Sequence, residues 1–92
     1  MNTPVLPLSA QIHQRLTERL TPTELRVIDE SAAHAGHVGA NDSLQGTHMR
    51  VCIASPLFHG ISRVQRHRLV YDSLQEFLDN GLHALAIEFR SN

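Results

Sequence analysis

Seven histidines, one cysteine and eight positively charged side chains, all of them arginine, are the groups in this 92-residue sequence best suited to bind a metal or an anion. Imidazole serves as a metal ligand, a proton carrier or simply a half-buried polar group, so spacing has to separate these uses. His34 and His37 are three residues apart in a small, polar stretch. Such a pair fits either a metal site or ordinary loop composition. His83 opens a run whose same-face neighbours, Leu85, Ile87 and Phe89, are apolar. That puts an imidazole at the mouth of the core, as a ligand or as a histidine satisfied by a backbone carbonyl. His48 and His67 read as structural. Cys52 is alone, which excludes an internal disulfide and any all-thiolate zinc or iron-sulfur site within the chain. With no base beside it in sequence, it reads as a buried structural thiol and not a nucleophile. No GxSxG, Walker or GxGxxG motif occurs, so the sequence offers no catalytic machinery and reads as a non-enzyme. Arg63, Arg66 and Arg68, with His59 and His67 nearby, crowd positive charge at a helix start. Cations there oppose the helix dipole by roughly 0.3 to 1 kcal/mol each, leaving a solvated arginine face or an anion-binding surface as the two readings.

The elements that must position these residues can be read from periodicity. The length allows one small domain, and 41% apolar with 18% charged residues is the composition of a folding chain. Such a domain buries only about 60 to 65% of its unfolded surface. The lone cysteine, and the lack of a secretory signal or a run of ~20 apolar residues, predict a soluble, cytoplasmic protein. A net charge of −1 argues against indiscriminate nucleic-acid binding. Residues 1–8 read as a disordered lead and 9–92 as the domain. Ser9 offers an N-cap to a helix with Ile12, Leu16 and Leu20 on one stripe, closed by Thr21-Pro22. Alternation predicts strands over Leu25–Ser31 and Thr47–Ala54, joined by a small-residue segment, Ala32–Gly46, long enough to be functional or disordered. Ser62 with Gln65 forms a capping-box signature and Asn80-Gly81 a stop, predicting one long helix between them. Val64, Val70, Tyr71, Leu74, Phe77 and Leu78 fall on its apolar arc, while Leu69 lands on the polar side. A third strand runs from His83 to Phe89. A helix between the second and third strands implies a parallel pair beside the antiparallel hairpin: an α+β fold with a three-stranded mixed sheet and helices on one face.

Several short segments together resemble the BolA-like proteins: Glu30-Ser31 and the His-bearing loop after it, Gly46-Thr47-His48, Phe58-x-Gly60-x-Ser62, Gln65-Arg66-His67-Arg68-Leu69-Val70, and His83-Ala84-Leu85-Ala86-Ile87. The likeness spans Leu8 to Phe89. It implies a single α-β-β-α-β domain, similar to the class II KH fold. It also implies a non-enzymatic adaptor partnered with a monothiol glutaredoxin and glutathione around a shared 2Fe-2S cluster, acting in iron-sulfur trafficking or iron and redox regulation. In that scheme His83 matches the family's C-terminal histidine ligand and His34 the loop ligand, with His37 in reserve, and the isolated chain holds no cofactor. Missing thiolates would come from the partner, and imidazole ligation would alter cluster charge and pH sensitivity. Some members of the family are DNA-binding transcription regulators. Here that alternative would use Arg63, Arg66 and Arg68. Gly36-His37-Val38-Gly39 matches the KH GxxG pattern but sits between strands, where the KH grip does not.

Overall fold

The computed structural model describes residues 6–31 and 48–90. Helix α1 (Leu8–Leu20) is followed by strands β1 (Glu24–Asp29) and β2 (His48–Ala54), helices α2 (Arg63–Ser73) and α3 (Gln75–Asp79), and strand β3 (Ala84–Phe89). The sheet order is β1-β2-β3, with β1 antiparallel and β3 parallel to the central β2. This is the expected mixed sheet. The segment 32–47, with His34 and His37, lies outside the described residues, as do residues 1–5 of the lead.

Pairing register divides the sheet into two faces. Leu25 and Val27 of β1, Met49, Val51 and Ile53 of β2, and Leu85, Ile87 and Phe89 of β3 share one of them. Helix α1 seats Ile12, Leu16 and Leu20 in the same core, and Val70 and Leu74 join them from the α2–α3 crossing. Phe58 packs edge-on against Phe89, ring centroids 5.3 Å apart. Ser55 knits the layers together at one corner: its buried hydroxyl donates to the Leu20 carbonyl and accepts from the Leu57 N–H.

Two helix details depart from the periodicity. Helix α1 begins at Leu8, with Pro7 in the N-cap position and no side-chain cap, so Ser9 does not cap it. Leu8 packs against the core and extends the i, i+4 stripe of Ile12, Leu16 and Leu20 by one step, so burial outweighs the missing cap. The long helix is in fact two. Its N-terminus carries the capping box, Ser62 accepting from the Gln65 N–H and Gln65 from the Ser62 N–H, but it breaks at Leu74. There the Ser73 hydroxyl donates back to the Leu69 carbonyl, a bond that bends helices. Arg15 of α1 takes up the freed Ser73 carbonyl, pairs with Glu76 at 2.9 Å and lies 5.1 Å above the Phe77 ring. The break changes the face each residue presents. Leu69 packs inward and Val64, expected in the core, is 62% exposed. Arg66 and Ser73 occupy the inner side of α2 beside Leu69, Val70 and Leu74, which hides the apolar stripe from a simple wheel. Thr21 (φ 42°) closes α1 before Pro22, as expected.

Among the described residues no helix is long and apolar enough to cross a membrane. Because Leu74 is fully buried at the break, Leu74→Ala should destabilise the fold by about 2 to 5 kcal/mol in urea unfolding, while Val64→Ser should stay within about 0.5 kcal/mol of the parent.

Candidate functional site

His83 precedes β3, not within it as the alternation suggested, and it is exposed instead of sitting at the mouth of the core. The buried anchor is its neighbour Leu82, whose N–H donates to the Phe77 carbonyl at the end of α3. Gly81, at φ 121°, supplies the turn between α3 and that anchor, a conformation side-chain-bearing residues rarely adopt. Held between a buried leucine and a paired strand, the His83 imidazole makes no hydrogen bond or ion pair among the described residues.

The sheet fixes what lies near it. Ala84 is in register with His48, the first residue of β2, and Met49 with Asp29, the last of β1. The end of β1, the start of β2 and the start of β3 therefore share one end of the sheet. Residues 30–31 leave it and residue 48 returns to it, so both anchors of the segment carrying His34 and His37 lie at the His83 end. Ser31 locks these anchors. Its buried hydroxyl accepts from the His48 N–H at 3.1 Å, its own N–H donates to an Asp29 carboxylate oxygen at 2.9 Å, and the Glu30 N–H donates to the His48 carbonyl at 2.8 Å. Sequence reasoning gave the Ser31 hydroxyl no bonding role; its signals were its place in the Glu30-Ser31 segment of the family resemblance and at the end of a strand.

The other candidates lie elsewhere. Cys52 is buried as expected, on the sheet face opposite the core, with its thiol 3.6 Å from Glu88. It sits four register steps from the His48–Ala84 pair, roughly 13 Å along the strand. Beside it, Arg50 of β2 bridges Glu88 of β3 at 3.2 Å and Glu30, the residue after β1, at 3.0 Å. The Glu30 hydrogen bond, with its charge and the Glu88 bond adding to it, holds the Arg50 guanidinium above its ordinary pKa. A raised folded-state value means this contribution persists throughout the neutral range and fades only above the ordinary arginine pKa. Of the arginine cluster, Arg66 is committed inward, its Nε donating to the Ile61 carbonyl at 3.2 Å. Arg63 and Arg68 are exposed. Among the described residues no three His, Cys, Asp or Glu side chains converge to hold a metal. A metal at His83 would thus need further donors from elsewhere.

A family model described as BolA-like protein matches residues 16–92. The chain is 47% identical over 83 residues to "Uncharacterized protein in cobS 5'region" of a Sinorhizobium species, covering 90% of this chain and 89% of that one. It is 45% identical over 80 residues to "Protein BOLA1, chloroplastic" of Arabidopsis thaliana, covering 86% of this chain but half of that protein's length. Among solved structures, the BolA domain of SufE1 from Arabidopsis thaliana superposes with a TM-score of 0.81 at 41% identity, covering 96% of this chain and 95% of the other.

Two substitutions test how the site is held. A Cβ at Gly81 meets nothing within 4 Å, so Gly81→Ala should cost only backbone strain, about 1 to 3 kcal/mol in urea unfolding. Ser31→Ala removes the hydroxyl that accepts from the His48 N–H, which should destabilise the fold by about 1 to 3 kcal/mol and accelerate hydrogen exchange at His48.

Proposed function

The chain belongs to the BolA-like proteins, and from that membership we propose that it is a non-catalytic adaptor sharing a 2Fe-2S cluster with a monothiol glutaredoxin and its glutathione, in iron-sulfur trafficking or iron and redox regulation. The observation that carries this reading is His83: an exposed imidazole without a partner among the described residues, held between a buried anchor and a paired strand. A terminal ligand needs this combination, since a ring nitrogen must be accessible while the backbone beneath it stays fixed. Cys52 does not suit the role. Its thiol is buried on the far sheet face, so the chain brings imidazole and the partner brings thiolate. Both anchors of the 32–47 segment lie at the His83 end, which supports a second ligand from that segment: His34 by the family resemblance, with His37 in reserve.

Neutral imidazoles in place of thiolates lower the negative charge of the site and raise the cluster potential, as in Rieske centres. They also make ligation pH-dependent, because a protonated imidazole cannot coordinate. The reducing cytoplasm is the compartment that suits such a partnership.

Reconstitution of the full chain with a monothiol glutaredoxin, glutathione, iron and sulfide tests the assignment by visible absorption and circular dichroism. His83→Ala should abolish the spectrum of the mixed complex and leave at most that of the glutaredoxin alone, while His34→Ala should weaken it more than His37→Ala. A mixed-complex spectrum unchanged by His83→Ala would remove His83 from the ligand set.

A further inference from the structure

The outer face of α2 offers a second surface, separate from His83 and independent of any cluster. Arg63, Val64, His67, Arg68 and Tyr71, at the i, i+1, i+4, i+5 and i+8 positions of one helix face, line an open groove of about 510 Å3. Val64 is the most exposed large apolar side chain among the described residues, and the inward turn of Leu69 and Val70 leaves it outside the core. The wall toward β3 is rigid. His67 stacks on Tyr71 with ring centroids 5.2 Å apart and planes 20° apart, and it meets the Phe89 ring at 5.9 Å. The Tyr71 hydroxyl donates to the Leu85 carbonyl. Arg63 and Arg68 flank the groove, and neither has a carboxylate within 4 Å among the described residues, whereas Arg15 and Arg50 are paired.

We propose that this groove docks an acidic peptide segment of a partner protein, its apolar side chains covering Val64 and the Tyr71 ring and its carboxylates pairing with Arg63 and Arg68. The groove runs along α2 from Arg63 to Tyr71, nine residues and about 12 Å, which matches two apolar anchors one helical turn apart flanked by carboxylates. Guanidinium groups at the rim bind carboxylates in a fork, while the apolar floor has no counterpart in a phosphodiester backbone. Nucleic acid fits this face poorly. Only two of the three clustered arginines are available, one His67 ring face is taken by Tyr71, and the chain carries a net charge of −1.

Fluorescence anisotropy of the full chain tests this with three labelled probes: a 14-residue peptide with two leucines four apart among glutamates, the same peptide with lysines replacing the glutamates, and a 14-base-pair DNA duplex. The acidic peptide should bind best and weaken as salt rises from 50 to 300 mM. Val64→Ser should weaken it roughly 5-fold through lost apolar burial. Arg63→Glu with Arg68→Glu should weaken it at least about 10-fold through like-charge repulsion. These side chains are exposed, so far-ultraviolet circular dichroism should match the parent and separate lost binding from lost folding. No binding of the acidic peptide at 1 mM, equal binding of the lysine peptide, indifference to the substitutions, or tighter binding of the duplex would each overturn the proposal.

Discussion

Parallel pairing of β2 with β3 is the constraint from which the rest of the molecule follows. A parallel neighbour cannot be reached by a tight turn, so the chain must cross the sheet, and α2 with α3 is that crossing. The crossing packs beside α1, and together they close the core over Met49, Val51 and Ile53. It also returns the chain to the end of the sheet where β2 starts, so His83 emerges beside His48 and beside the two anchors of the 32–47 segment. An antiparallel third strand would have sent the residue before it to the opposite end.

The crossing is itself shaped by one polar cluster. A straight helix from Ser62 to Asn80 would carry Val64 on the same arc as Leu74 and Leu78, but the Ser73 hydroxyl and the Arg15 guanidinium stabilise a break at Leu74. Past the break, α3 starts as a separate helix, and Gly81 and Leu82 hand the chain to β3. The same break goes with Leu69 facing inward and Val64 outside, so the His83 end of the sheet and the α2 groove both depend on it.

Much of this was legible in the sequence. Period-two alternation located the three strands, the Ser62–Gln65 capping box located the start of α2, and Thr21-Pro22 located the end of α1, because each rests on local chemistry that tertiary contacts did not override. The resemblance to BolA-like proteins, carried by short segments across the chain, agrees with the family match over residues 16–92. The helix break was not legible, because the arginine that occupies the freed carbonyl is 58 residues away from Ser73. Exposure of His83 was misread for a related reason. The alternation in the sequence runs one residue beyond the strand, and the burial it implies belongs to Leu82. Ser31 could be recognised only once its hydroxyl was seen against the His48 N–H, seventeen residues on.

The central claim is that His83 gives a ring nitrogen to iron in a cluster whose thiolates belong to a partner. Pulsed electron paramagnetic resonance of the reduced mixed complex tests it most directly, using chain labelled with nitrogen-15 at histidine and unlabelled glutaredoxin. The account predicts strong hyperfine coupling from directly bound imidazole nitrogen that changes isotope signature with the label and disappears together with the mixed complex in His83→Ala. A spectrum without histidine nitrogen coupling, or one whose coupling is the same in His83→Ala, would contradict it.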